Sequence, residues 1–144
     1  MIVVDVNVLV YACRADTSVH EMTLGWLTQR LTDPYEQVAI PDLVWVGFAR
    51  ISTNPRVFYE PSTIGEVRSF MHDVVNCPAY YRVPGLAQGI EPLVTEMAES
   101  DARGNLVTDA YIATLARQLG ASVASYDRDF RRFDGLPIIV PTSV

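Results

Sequence analysis

The chain has 144 residues and a mass of 16.0 kDa, with 49% hydrophobic, 19% charged and 10% aromatic residues. A domain of this length buries roughly 68–70% of its unfolded surface, and the composition excludes a disordered tail, a collagen repeat or a disulfide scaffold. The net charge is −6 and all eleven basic residues are arginine, which excludes a Walker phosphate loop, Schiff-base catalysis and phosphate-accepting receiver chemistry, each of which needs a lysine.

In chain order, Ile2, Val3 and Val4 form a short β-branched run that stops at Asp5, the pattern of a strand buried on both faces. Leu24, Leu27 and Leu31 recur at helical spacing and predict a helix from His20 to Leu31. A strand follows at Gln37–Ile40. Pro41 suits a helical first turn, which Leu43 to Ile51 continues. Thr53 to Pro61, with two prolines and an aromatic pair, reads as an irregular excursion in which Phe58 and Tyr59 cover core surface or meet a partner.

Ser62, with Glu66 nearby, opens a further helix whose inner face is Val67, Phe70, Met71, Val74 and Val75. A strand at Tyr80–Val83 and a helix at Leu86–Glu99 come next. An alanine-rich helix then runs from Val107 to Leu119 and stops at Gly120. Strands at Ala121–Ser125 and Pro137–Val140 complete the pattern. Strands alternating with helices predict an α/β fold with a parallel sheet, in one domain over residues 1–144.

The longest apolar stretch, Leu43 to Ala49, is far shorter than the ~20 residues of a membrane helix. With no basic region ahead of the first strand, the reading predicts no secretory signal, no membrane association and a cytoplasmic protein. Cys13 and Cys77 are 64 residues apart and only His20 and His72 could join them, so a zinc cage is not expected.

Ligands of open parallel sheets bind beyond the carboxyl ends of the strands, and the acids concentrate there. Asp5 ends the first strand, Asp42 sits two residues past the second, and Asp127 and Asp129 follow the fourth. Asp109 falls in the first turn of the alanine-rich helix. Carboxylates brought together repel one another unless a cation joins them. Magnesium or manganese, which takes oxygen ligands and keeps water, matches a histidine-free set. Each aspartate alone also suits a turn or a helix cap.

These segments resemble the PIN-domain ribonucleases and, within them, the VapC toxins of bacterial toxin–antitoxin pairs. The resemblance is carried by Val4-Asp5-Val6-Asn7-Val8-Leu9, by Asn105-Leu106-Val107-Thr108-Asp109-Ala110 with its following helix, and by Ser125-Tyr126-Asp127-Arg128-Asp129-Phe130. The stretch from Phe48-Ala49-Arg50-Ile51 through Thr53-Asn54-Pro55-Arg56-Val57-Phe58 is similar to a VapC subgroup. The resemblance implies an α/β/α sandwich around a five-stranded parallel sheet, Mg2+ or Mn2+, cleavage of RNA phosphodiester bonds, a homodimer and a cognate antitoxin.

On this reading Asp5 and Asp109 are the principal metal ligands and Asp127 a further one, while Asp129 supports them. Asn7 and Ser125 orient the carboxylates. Arg50 and Arg56, flanking the irregular loop, are the expected phosphate contacts, with Arg128, Arg131 and Arg132 as a second cluster. The family's helix glutamate is absent, and Gly47 stands in its place. Gly47 is either a degenerate glutamate position, the preferred reading, or a point of close approach. The second functional reading is a PIN-like module that binds RNA or protein with weak cleavage or none. A phosphatase with Asp5 as nucleophile is disfavoured because Asn7 stands where that chemistry wants a second acid.

Overall fold

The computed structural model describes residues 1–83 and 85–142. Five short strands, β1 (Ile2–Val4), β2 (Val38–Ala39), β3 (Tyr80–Tyr81), β4 (Ser122–Ala124) and β5 (Ile138–Ile139), form one parallel sheet in the order β3-β2-β1-β4-β5. β1 is central. Ile2 pairs with Val38 on one side and with Ser122 on the other, and Val3 and Val4 have no exposed surface, as expected for a strand covered on both faces. β1 has the bounds of the run that predicts it, and β2 to β5 are each shorter than theirs.

Among the described residues six helices connect the strands: α1 (Val6–Cys13), α2 (His20–Thr32), α3 (Asp42–Ser52), α4 (Ile64–Val75), α5 (Glu91–Ser100) and α6 (Leu106–Leu119), with a 3₁₀ turn at Arg128–Arg132. The chain moves outward from β1 to β2 and β3, then returns to β4 on the far side of β1. Right-handed crossovers therefore put α1 to α4 on one face and α5 and α6 on the other, giving the expected α/β/α sandwich. Small residues on α6, Ala110, Ala113 and Ala116, are fully buried and let this helix lie close to the sheet.

Two helix starts differ from the sequence reading, and one helix it did not delimit is present. The capping group of α4 is Thr63, which forms a reciprocal capping box with Glu66; Ser62 instead accepts from Arg14. α5 begins at Glu91 rather than Leu86, because Gly85 and Gly89 take positive φ values of 111° and 76° that no helix contains. α1 carries little helical signal, since Val6, Val8 and Val10 are β-branched, yet it forms where Asp5 caps its first turn.

The 53–61 excursion is held from beneath. Arg14, only 8% exposed, donates to both Asp16 carboxylate oxygens (3.0 and 2.6 Å), to Ser62 Oγ (3.0 Å) and to the Glu60 carbonyl (2.8 Å). Its guanidinium also lies 3.9 Å from the centre of the Phe58 ring. Phe58 thus covers core surface as one of the two readings has it, whereas Tyr59 is wholly exposed.

Candidate metal centre

β1 and β4 are neighbours whose connections leave in opposite directions, so the crevice beyond their carboxyl ends is the topological switch point of the sheet. Asp5 stands at its centre, buried. Its Oδ1 accepts from the Val6 amide at 2.7 Å, and its Oδ2 accepts from Asn7 Nδ2 at 2.5 Å and from Ser125 Oγ at 2.6 Å. Ser125, with no exposed surface, also accepts from Asn7 Nδ2 (3.0 Å) and from the Asp127 amide (2.9 Å). Asn7 Oδ1 accepts from the Tyr126 amide, and Asp127 caps the 3₁₀ turn by accepting from the Asp129 amide at 2.8 Å. One continuous network thereby joins the ends of β1 and β4.

Burial pushes the Asp5 carboxyl above its usual pKa and the charge of Asp127 adds to this, while the bonds from Ser125, Val6 and Asn7 pull it down. Facing it, Asp109, Asp127 and Asp129 each present a carboxylate oxygen, and these three oxygens all lie within 4.8 Å of one another. Asp109 is half-buried in the first turn of α6. Burial, followed by the charges of Asp5, Asp127 and Asp129, raises its pKa to about 7, with Arg132 opposing the shift.

None of the four acids forms a salt bridge with a described residue. Packed oxygen donors with their negative charge uncompensated, and no histidine or thiol among them, fit a hard divalent cation such as Mg2+ or Mn2+. Asp129 belongs to the tight group itself, whereas the sequence reading gave it only a supporting part. Asp42, the first residue of α3, lies outside that group, and so does Asp5, which the sequence reading made a principal ligand and which adjoins the group closely enough to raise the Asp109 pKa.

Gly47 resolves toward close approach. A Cβ there would come to 2.8 Å from a γ-methyl of Val6, nearer than carbon atoms pack, so α3 lies against α1 with no room for a glutamate stem. The preferred degenerate-site reading therefore gives way. Arg50 is in the last turn of α3, roughly 12 Å along the helix from Asp42 at 1.5 Å per residue, and both Arg50 and Arg56 are exposed. Arg132 of the 3₁₀ turn is near enough to act on Asp109, and Arg128 and Arg131 share that turn with Asp129. Tyr111, two residues past Asp109, had drawn no notice in the sequence, where it reads as one more apolar helix position.

The arrangement defines a parallel α/β domain with a carboxylate-rich centre at its switch point. Residues 2–136 match the PIN domain family, and the chain belongs to that family. It is 39% identical over 136 residues to the VapC ribonuclease Mb2897 of Mycobacterium bovis, covering 92% of this chain and 90% of that one. It is 34% identical over 143 residues to ribonuclease VapC25 of Mycobacterium tuberculosis, covering 98% and 99%. Among solved structures, VapBC2 from Rickettsia felis, bound to a DNA fragment from their promoter, aligns with a TM-score of 0.63 at 18% identity over 96% of this chain and 98% of that one. FitAcB from Neisseria gonorrhoeae aligns with a TM-score of 0.63 at 16% identity over 98% of each chain. Both likenesses bear on the fold.

Proposed function

We propose that the protein is a divalent-metal-dependent endoribonuclease, the toxin of a type II toxin–antitoxin pair, hydrolysing RNA phosphodiester bonds in the cytoplasm. The observation that carries this reading is the group of three carboxylates within 4.8 Å, with Asp109 pushed to a pKa of about 7 beside Asp5. Its placement at the switch point of a PIN-family chain with ribonuclease relatives adds the substrate class.

Asp5, Asp109 and Asp127 would hold Mg2+ or Mn2+, with Asp129 adjoining them. A divalent cation there supplies positive charge that polarises a phosphoryl oxygen and lowers the pKa of water toward neutrality. The chain's own residues do the rest. Ser125 and Asn7 fix the Asp5 carboxylate by two of its three hydrogen bonds, which keeps it aimed across the crevice. Arg128 and Arg131, exposed on the turn that carries Asp129, join Arg50 and Arg56 as candidates to take substrate phosphates with their forked donors.

The partner on this reading is an antitoxin that covers the acids, and an inserted arginine is the complementary group. On the same reading the toxin itself is a homodimer, for which light scattering should give a mass near twice 16.0 kDa. The test is incubation of purified protein with single-stranded RNA and Mg2+ or Mn2+, with and without EDTA. Internal cleavage that EDTA abolishes is the expected outcome. The close approach at Gly47, which leaves no carboxylate at the place of the family's helix glutamate, favours one alternative, a PIN-like module with weak or no cleavage. RNA binding without metal-dependent cutting would establish it.

A further inference from the structure

Tyr126 stands in the chain between Ser125 and Asp127 and sends its side chain to three other elements of the fold. Its backbone belongs to the network at the acids, where its amide donates to Asn7 Oδ1 at 3.2 Å. Its ring meets that of Tyr11 on α1 edge to face, with centroids 5.3 Å apart and planes at 63°. Asn7 and Tyr11 are four residues apart on α1 and share one face of it. Residue 126 is therefore held to that face at two points, by its amide and by its ring.

The phenol extends this anchorage. Its oxygen lies 2.7 Å from Oγ1 of Thr23, a residue of α2 with no exposed surface, and it donates at 3.1 Å to the carbonyl of Pro141, buried just beyond β5. Thr23 Oγ1 is also 2.7 Å from the Val19 carbonyl, but that carbonyl already accepts the Thr23 amide at 2.9 Å. The Thr23 hydroxyl proton is thus free for the phenol, and two protons complete a chain from α2 through Tyr126 to Pro141. This chain fixes residue 126, and residue 126 decides how Asn7 is turned. With Oδ1 taken by the Tyr126 amide, Asn7 has only Nδ2 to offer Asp5 Oδ2 and Ser125 Oγ. Withdrawal of the Tyr126 amide would free the Asn7 side chain to turn, at the expense of one of the three donors that hold the Asp5 carboxylate.

We propose that Tyr126 is a positioning residue of the metal centre: its phenol, tied to α2 and to the chain beyond β5, sets the direction of the Asp5 and Asp127 carboxylates. The proposal rests on the metal-centre reading above. It makes the acids depend on Thr23 and Pro141, which lie on segments that supply no acid to the centre.

The experiment compares the wild type with Tyr126→Phe, which keeps the ring against Tyr11 and removes only the hydroxyl, and with Thr23→Val, which removes its partner on α2. In the metal-free protein, amide hydrogen exchange followed by NMR should be about fivefold faster at residue 126 in Tyr126→Phe. The Val123 amide, bonded within the sheet to the Pro137 carbonyl, should keep its rate. Calorimetric titration with Mn2+ should show an affinity about fivefold weaker in Tyr126→Phe, a smaller loss in Thr23→Val, and no further loss when the two are combined. Val74→Ala, which opens a cavity under α4, should lower the melting temperature and leave Mn2+ affinity unchanged. A folded Tyr126→Phe with the wild-type affinity overturns the proposal, as does an equal loss of affinity in Val74→Ala. In a chain whose wild type binds no Mn2+, faster exchange at residue 126 would sustain the tie to Asn7 and remove the metal-centre reading, whereas unchanged exchange overturns both.

Discussion

Gly47→Ala separates the two accounts of that position, because helix propensity and packing act on it with opposite sign. Alanine inside a helix is favoured over glycine by about 1 kcal/mol. Against this, the new methyl would sit 2.8 Å from Val6 Cγ2, and Val6 is β-branched, with little freedom at χ1. Forcing such a contact open costs about 1–3 kcal/mol. The net expectation is a loss of about 0–2 kcal/mol, or up to about 8 °C in Tm at the 2–4 °C per kcal/mol of a domain this size.

Val6→Ala removes the obstructing methyls. In that background Gly47→Ala should stabilise by the full propensity gain of about 1 kcal/mol, which gives a coupling of about 1–3 kcal/mol in a double-mutant cycle. Thermal and urea unfolding of the four proteins measures it. Because the Val6 amide donates to Asp5, the shift also reaches the acids, and Gly47→Glu should leave Mn2+ affinity unchanged or weaker. An additive cycle, with Gly47→Ala stabilising in both backgrounds, would refute the reasoning, as would a rise in Mn2+ affinity in Gly47→Glu.

The raised pKa of Asp109, about 7 in the folded protein against about 3.9 unfolded, means the native state keeps a proton that the unfolded chain releases between those values. Stability of the metal-free protein should fall as pH rises from about 4 to about 7, and Asp109→Asn should be the more stable protein at pH 8 by about 1–2 kcal/mol after allowance for solvent screening. Equal melting temperatures of the two in EDTA at pH 8 would speak against the repulsion. Ser125→Ala leaves the Asp127 amide without its acceptor and takes one donor from Asp5, for an expected loss of about 1–3 kcal/mol in urea unfolding; a loss below about 0.5 kcal/mol would show the network to be slack. Arg14→Met keeps the apolar stem but frees the 53–61 segment, and trypsin should then cut at Arg56 about fivefold faster, whereas an unchanged rate would mean that Arg14 does not hold the loop.

What the sequence made legible follows from how local each signal is. The strand runs Ile2–Val4 and Ala121–Ser125 are apolar, β-branched or small, and end at polar groups, so the sheet and its carboxyl edge could be placed from residue pattern alone. Asp5, Asp109 and Asp127 were legible because each stands at the end of such an element, where chain direction dictates which edge it occupies. The mutual placement of the carboxylates was not legible, since the position of Asp129 depends on a 3₁₀ turn whose geometry is set by Asp127 accepting its amide. Gly47 was ambiguous for a related reason: a missing side chain says nothing of which neighbour fills the gap, and Val6 lies 41 residues away in sequence. Arg14 and Tyr111 carried no local pattern at all. Their partners, Ser62, Glu60 and Phe58 for one and Gly85 for the other, come from distant segments.

The claim that the acids at the β1 and β4 switch point form a metal centre is tested most directly by calorimetric titration of Mn2+ into the purified protein at pH 7, in two buffers of different ionisation enthalpy. With the Asp109 pKa at about 7, roughly half of its carboxyls carry a proton that binding must displace. The wild type should therefore bind Mn2+ and release about half a proton, and Asp109→Asn should bind markedly more weakly and lose that release. A wild type that binds no Mn2+ at millimolar concentrations, or an Asp109→Asn variant with the same affinity and the same proton release, would contradict the account.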